Sequence, residues 1–181
     1  MDLIDARRCA LVLVDYQARL MPAIHHGAEV VAAGARLADI ALALELPVIG
    51  TEQNPRGLGP NDAGIRQRCA TTLAKMHFDA CEDGLLGLLR PPAGPPIEQV
   101  VIAGCEAHVC LMQTALGLRR AGLAVWVVAE ACGSRNPAHH ALAMQRLRDA
   151  GAGIVALEMV AFEWLRSCEH PRFKAVLPLL K

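Results

Sequence analysis

The sequence predicts a three-layer α/β/α fold, in which residues 1–181 form a single domain around a six-stranded, mostly parallel sheet. Short apolar runs alternate with helical patterns along the chain, an order typical of parallel strands joined by right-handed crossover helices. The chain is 54% hydrophobic but only 3% aromatic, which predicts aliphatic strands that are covered on both faces. In open sheets of this kind, ligands lie beyond the carboxyl ends of the strands.

Apolar runs of strand length occur six times. The predicted strands span residues 10–16, 47–53, 71–78, 99–106, 124–131 and 152–159. Between them, helical spacing predicts helices over residues 28–45, 82–90, 108–121 and 137–150, and a last helix from about residue 160. Asn136 is the predicted N-cap of the fourth helix, with Pro137 at its first position, and Gly122 closes the third. Residues 54–62 are predicted to be a loop, and residues 91–96 ("PPAGPP") a stiff surface connector.

Charge and composition exclude several classes of partner. The formal net charge is zero and the pI is about 7.0, so we expect neither a nucleic acid nor an anionic membrane as partner. The amino-terminal apolar run follows two aspartates and is too short for a signal peptide. Charged residues interrupt the apolar stretch 30–49, which is therefore not a membrane span. We expect a cytoplasmic protein whose seven cysteines are mostly reduced.

Chemically capable side chains follow the predicted strands. Asp15 comes after five apolar residues, and is either a functional carboxylate or a turn cap. Lys75 lies within the apolar run "TTLAKMHF" (71–78), and is either a surface lysine on an edge strand or, if buried near Asp15, one half of an ion pair. The second strand ends with the polar residues 51–54 ("TEQN").

The segment "GCEAHVC" (104–110) allows a metal site, a disulfide or a nucleophile. Cys105, His108 and Cys110 have an uncommon ligand spacing and no second pair nearby, so we predict no metal. A disulfide across a strand-to-helix turn is unexpected in a cytosolic protein. Cys110 lies near the start of a helix, where free N–H groups favour an anion, so its pKa is expected to be lowered to about 3.5–7.5. Cys105 lies in the strand and is expected to be inert.

These residues resemble those of the isochorismatase-like cysteine hydrolases, and most closely the isochorismatase-domain-containing branch. The matching segments span nearly the whole chain: "ALVLVDYQ", "TEQNPRGLG", "LAKMHFDA", "VVIAGCEAHVCLMQTALGLRRAGLAVWVVAEACGSRNP" and "ALEMVAFEWLR". The resemblance implies a catalytic triad of Asp15, Lys75 and Cys110. It also implies a cis peptide bond between Cys105 and Glu106, and an oxyanion hole formed by the backbone N–H groups of Glu106 and Cys110.

The activity that the resemblance implies is hydrolysis of a C–N bond, such as that of an amide, in a small molecule without a cofactor. Nicotinamidases of this superfamily carry metal-binding histidines after the second strand, whereas this chain has no histidine between Asn54 and His77. Isochorismatase itself cleaves a vinyl ether and can lack the cysteine, so Cys110 argues against that reaction. Two alternatives stay open: a non-catalytic binding or scaffold protein, and a thiol redox protein, although no C-x-x-C pair is present.

Weaker candidates for contact with the substrate lie beside the predicted triad. They are Gln17, Leu20, Glu52, Asn54 and His77, with Arg56 next to them. Simple turn chemistry also accounts for the "NPRG" stretch. The family commonly forms dimers or larger homo-oligomers, and the apolar segment 158–165 ("EMVAFEWL") is the candidate for a shared surface.

Overall fold

The computed structural model describes residues 2–90 and 96–181. Across these residues, six strands form one sheet in the order β3-β2-β1-β4-β5-β6, and all neighbouring pairs are parallel. The strands are β1 (Cys9–Val14), β2 (Val48–Gln53), β3 (Thr71–Lys75), β4 (Gln99–Cys105), β5 (Ala124–Gly133) and β6 (Gly153–Val155). The predicted fold class is confirmed, and no pair departs from the parallel arrangement among the described strands.

Helices cover both faces of the sheet. They are α1 (Gly27–Ala43), α2 (Pro55–Leu58), α3 (Ala63–Arg66), α4 (Leu85–Leu88), α5 (Met112–Arg120), α6 (Pro137–Asp149), α7 (Leu157–Leu165) and α8 (Phe173–Val176). The long helix α1 packs against α7 and α8, whereas α5 packs against α6. Four 3-10 turns (Ala6–Arg8, Met21–Ala23, Ala80–Asp83 and Leu177–Leu180) and a π-helical turn (Ala107–Leu111) complete the described elements. None of the helices in residues 2–90 and 96–181 is long and apolar enough to cross a membrane.

The central strands form the core. Every residue of β1 and β2 is buried, as expected for strands covered on both faces. The order of the strands along the sheet reverses between β1 and β4, which places a crevice at the carboxyl ends of these two strands. Asp15 follows β1 and Cys105 ends β4, so the crevice lies where the sequence places its chemically capable residues.

Element boundaries differ from the prediction in the carboxyl-terminal part. The last strand ends at Val155, and α7 begins at Leu157 within the run that was predicted to be strand. Short apolar runs fit a strand and a helix equally well. The Glu130 carboxylate on the neighbouring strand β5 accepts a hydrogen bond from the Leu157 backbone N–H at 3.2 Å, and this bond caps the start of α7.

The third strand is also shorter than predicted. It ends at Lys75 because Asp83 accepts hydrogen bonds from the backbone N–H groups of Met76 and His77, both at 2.9 Å. The predicted helix 82–90 is divided into the turn Ala80–Asp83 and α4, and one helical turn, α2, lies within the predicted loop 54–62.

The predicted cap of α6 is confirmed: the Asn136 side chain accepts from the Ala138 backbone N–H at 2.9 Å. Gly122 follows α5 with φ of 89°, the left-handed conformation of a closing glycine. Most of the predicted connector, residues 91–95, lies outside the described residues.

Candidate active site

A buried ion pair lies at the floor of the crevice. Asp15 directly follows β1 in a left-handed conformation, with φ of 51°, and Lys75 is the last residue of β3. The Lys75 Nζ lies 2.8 Å from the Asp15 Oδ2, and the two side chains are only 0% and 1% exposed. The two residues belong to strands that are not neighbours, so the lysine side chain reaches across the end of β2.

Two side chains of β2 complete the surroundings of this pair. The Thr51 hydroxyl donates to the Asp15 Oδ1 at 2.6 Å, and the Gln53 Oε1 accepts from the Lys75 Nζ at 2.6 Å. Alternate residues of a strand face the same side, which explains why Thr51 and Gln53 both meet the pair. Each buried charge therefore has an opposite charge and a hydrogen-bond partner, as burial of charge requires.

Cys110 lies against the same pair. It belongs to the π-helical turn Ala107–Leu111 between β4 and α5, and it is 7% exposed. Its Sγ lies 3.9 Å from the Gln53 Oε1, the atom that also binds Lys75. The structure thus brings Asp15, Lys75 and Cys110 together from the ends of three strands.

The expected lowering of the Cys110 pKa is wrong. Burial, and secondly the Asp15 carboxylate, raise the pKa of the Cys110 thiol to about 12, although the Lys75 ammonium acts in the opposite direction. Desolvation disfavours the thiolate, and one ammonium already paired with a carboxylate does not offset it. The resting group is a thiol, so any nucleophilic reaction requires a base beside it.

The other cysteine of the segment has different surroundings. Cys105 is fully buried at the end of β4, and burial raises the pKa of its thiol well above the ordinary value. The peptide bond between Cys105 and Glu106 is cis. The Glu106 carboxylate accepts from the Arg135 backbone N–H at 3.1 Å and from its Nε at 3.0 Å. Cys105 and Cys110 are both free thiols in this structure.

Two of the weaker substrate candidates hold the loop after β2. Gln17 is fully buried; its amide accepts from the Gln53 N–H at 2.9 Å and donates to the Gln53 carbonyl at 3.0 Å. Glu52 accepts from the Asn61 N–H at 2.9 Å, on the opposite side of β2 from Gln53. Contact of Gln17 or Glu52 with a substrate stays a prediction.

The remaining candidates are less buried. Leu20 and Asn54 are half-buried, and Asn54 lines a surface cavity of about 560 Å³ together with Arg56. His77 is exposed, and its imidazole Nδ1 lies 3.1 Å from the Asp83 carboxylate. Only the His77 backbone carbonyl faces the ion pair, at 3.3 Å from the Lys75 Nζ.

Sequence reasoning missed Thr51 and Gln53 as members of the site. Both lie in the polar end "TEQN" of an otherwise apolar strand, a signal that the sequence does carry. Alternation along the strand turns the predicted substrate contact, Glu52, away from Lys75 and Cys110. Among residues 2–90 and 96–181, no group of three or more His, Cys, Asp or Glu side chains is arranged to hold a metal ion.

Residues 9–159 match the family model of the isochorismatase domain. The chain belongs to the isochorismatase-like hydrolase family. Isochorismatase domain-containing protein 2 of Xenopus laevis is 34% identical over 178 residues, which cover 96% of this chain and 84% of that protein. The predicted family resemblance is therefore confirmed.

Two solved structures of similar proteins cover almost all of the chain. The MAR1 ribonuclease of Caenorhabditis elegans has a TM-score of 0.92 and 30% identity, covering 99% of this chain and 92% of that one. The YcaC gene product of Escherichia coli, an octameric hydrolase of unknown specificity, has a TM-score of 0.89 and 26% identity, covering 99% and 90%. Both support a hydrolase with this α/β fold.

Proposed function

We propose that this hydrolase cleaves a C–N bond of a small amide-type molecule through a covalent thioester at Cys110. The observation that carries the proposal is the buried Asp15–Lys75 ion pair, 2.8 Å between Nζ and Oδ2, placed against the Cys110 thiol. A thiol with a raised pKa needs an adjacent base, and Asp15 is the carboxylate beside it.

Acylation begins with transfer of the thiol proton from Cys110 to Asp15. The Sγ attacks the amide carbon, and the backbone N–H groups of Glu106 and Cys110 bind the oxygen that becomes negative. Collapse of the tetrahedral intermediate breaks the C–N bond, and the amine leaves with the proton held by Asp15. Lys75 holds the carboxylate in place and balances its charge throughout.

Deacylation uses the same groups. Asp15 accepts a proton from a water molecule, which attacks the thioester carbon. Breaking the C–S bond releases the carboxylic acid and the Cys110 thiolate, which takes the proton from Asp15 and returns to the thiol. The two steps together consume one amide and one water, and they produce one acid and one amine.

The test is a panel of small primary and secondary amides, in which release of ammonia or amine is measured. We expect at least one amide to be hydrolysed, and Cys110→Ala to lower its kcat by roughly 10³-fold or more. Cys168→Ala is the matched control, because Cys168 is exposed. Amide hydrolysis that persists in Cys110→Ala would contradict the proposal.

RNA hydrolysis is the second candidate, favoured by the similarity to the C. elegans MAR1 ribonuclease. The zero net charge of the chain does not favour a polyanionic substrate, since nucleic-acid affinity comes largely from phosphate contacts with Lys and Arg. Incubation with a labelled single-stranded RNA separates the two candidates. Cleavage that is lost in Cys110→Ala, without hydrolysis of any amide in the panel, would replace the C–N proposal by this one.

We also propose that the protein is a homo-oligomer, as its octameric E. coli relative is. The segment 158–165 is divided between core and surface: Trp164 and Leu165 are buried, whereas Met159 and Phe162 are 49% and 46% exposed. Met159 and Phe162 are the residues of this segment that can pack against a second copy of the chain. Light scattering should show a mass above that of one 19.3 kDa chain, and a monomer would contradict the proposal. The cytoplasmic location and the single-domain organisation stay predictions.

A further inference from the structure

Gln53 is the side chain that joins the two halves of the site. It is 9% exposed, and its Oε1 lies 2.6 Å from the Lys75 Nζ and 3.9 Å from the Cys110 Sγ. Its Nε2 donates to the Met76 carbonyl at 2.8 Å. Its backbone is held by Gln17, which bonds to both its N–H and its carbonyl. Both ends of the amide and the backbone are therefore fixed.

The orientation of the Gln53 amide follows from the chemistry of its neighbours. An ammonium can only donate hydrogen bonds and a backbone carbonyl can only accept them. Rotating the amide by 180° would place its NH₂ against Lys75 and its oxygen against the Met76 carbonyl. The Gln53 Oε1 therefore faces Lys75 and Cys110.

The Lys75 ammonium has three N–H groups and four oxygens within 3.5 Å, the most distant of which is the Phe78 carbonyl. The Asp15 Oδ2 lies at 2.8 Å, the Gln53 Oε1 at 2.6 Å and the His77 carbonyl at 3.3 Å from the Nζ. While Gln53 holds one of these N–H groups, it is not available to the Cys110 sulfur. The thiol has the neutral amide oxygen within 3.9 Å of its sulfur and also interacts with Asp15 and Lys75, so the Gln53 oxygen and the Cys110 sulfur compete for the same ammonium.

We propose that Gln53 is a positioning residue, whose amide oxygen holds the Lys75 ammonium against Asp15 and keeps the resting Cys110 in its thiol form. The inference rests on the proposed role of Cys110 as nucleophile. A hydrogen bond donated by the neutral form of a group favours that form, and an acceptor that occupies the nearby cation does the same.

Two substitutions should move the reactivity of Cys110 in opposite directions. Gln53→Met has nearly the same volume but no strong acceptor, so one Lys75 N–H becomes free to stabilise the thiolate. Gln53→Glu keeps an acceptor at the same place and adds a negative charge, which disfavours the thiolate. A lower thiol pKa raises the thiolate fraction tenfold per unit and lowers its intrinsic reactivity about threefold, so the net change is about threefold per unit.

The experiment measures the rate at which iodoacetamide alkylates Cys110 at pH 8, resolved by mass spectrometry of the peptide that contains it. The Cys110 sulfur displaces iodide, and its proton goes to the buffer. We expect alkylation about threefold faster or more in Gln53→Met, and about threefold slower or more in Gln53→Glu. Gln145→Met is the matched control, because Gln145 is exposed on α6, and its rate should equal that of the wild-type protein.

Rates that are unchanged in both variants, or that move in the same direction, would overturn the inference. With an amide that the protein hydrolyses, Gln53→Met should lower kcat by roughly tenfold or more and leave KM within about twofold, even though alkylation is faster. A merely structural role would not produce opposite shifts of alkylation. If the alkylation rates shift in opposite directions and no amide is hydrolysed, the C–N proposal fails and the role of Gln53 stands. If an amide is hydrolysed and the alkylation rates do not shift, the role of Gln53 fails and the C–N proposal stands.

Discussion

Cys105 at the end of β4 and Cys110 in the next helical turn are five residues apart, and both thiols are buried with raised pKa values. Their neighbours differ. Cys110 lies against the Asp15–Lys75 pair and the Gln53 oxygen, whereas Cys105 is fully buried as the last residue of β4. Burial alone therefore does not distinguish a structural cysteine from a candidate nucleophile. The difference is the presence of a base and a cation that are themselves fixed by a third side chain.

The largest expected effect compares the two cysteines directly. Cys110→Ala should lower amide hydrolysis by roughly 10³-fold or more, because it removes the atom that forms the covalent bond. Cys105→Ala removes only a buried sulfur, so we expect kcat within about threefold of the wild-type value at a temperature where the variant is folded. Steady-state kinetics with circular dichroism as a folding control checks both. An equal loss of kcat in the two variants would show that Cys110 does not differ from Cys105 in its contribution to catalysis.

The second effect concerns the ion pair that distinguishes Cys110. Lys75→Met leaves the buried Asp15 carboxylate without its partner, and breaking a buried pair costs about 3–5 kcal/mol of unfolding free energy. Denaturant titration measures this cost. The matched control is Arg172→Met, since both side chains of the Arg172–Glu45 pair are exposed and the pair should contribute no more than about 1 kcal/mol.

A double variant sharpens this prediction. Asp15→Leu combined with Lys75→Met removes both charges, and should be less destabilised than Lys75→Met alone, because no uncompensated buried charge is left. A double variant that loses as much stability as the sum of the two single variants would show that the charges are not coupled.

The site could be predicted from the sequence only in part. Asp15 and Cys110 follow clear apolar strands, so their placement at the carboxyl end of the sheet follows from periodicity and parallel topology. Lys75 lies in a weak pattern on an edge strand, and its burial depends on β2 passing between it and Asp15. Gln53 is an ordinary polar residue in the sequence, and its place in the site depends on contacts with Lys75 and Cys110, which come from two other segments of the chain.

The wrongly predicted boundaries of α7 and β3 have the same cause. The start of α7 is capped by the Glu130 carboxylate on the neighbouring strand, and the end of β3 by the Asp83 carboxylate seven residues further along the chain. The periodicity of apolar residues indicates neither of these hydrogen bonds. The pKa of Cys110 could not be predicted from a helix start either. Its direction is decided by the depth of burial and by Asp15, which only the assembled structure reveals.

The third prediction is the pH dependence of the two thiols. Because burial raises the pKa of Cys110 to about 12, the thiolate fraction at neutral pH is small and rises tenfold with each pH unit below that value. Alkylation of Cys110 by iodoacetamide should therefore accelerate about tenfold per unit from pH 7 to pH 10. Cys105 should stay unlabelled over this range, since it is fully buried. A plateau of the Cys110 rate near pH 7 would indicate a preformed thiolate.

The smallest effect is on alkaline stability. The pKa of Cys105 is raised well above its usual 9.0 in the folded protein, so between pH 9 and the folded value the unfolded chain binds fewer protons than the native one. Stability is therefore complete below about pH 9 and falls as the pH rises, by up to about 1.4 kcal/mol per unit for one thiol. Cys105→Ala should give a shallower fall in denaturant titrations from pH 9 to pH 10. An equal loss of stability per pH unit in Cys105→Ala and in the wild-type protein would contradict the raised pKa of Cys105.

The most direct test of the central claim is to trap the acyl-enzyme. The protein is mixed with the amide that it hydrolyses fastest, quenched in acid within one turnover, and mapped by mass spectrometry. We expect a mass increase equal to the acyl group on the peptide containing Cys110, and no such increase in Cys110→Ala. An acyl group on another residue, or turnover without any adduct in both proteins, would show that Cys110 is not the nucleophile.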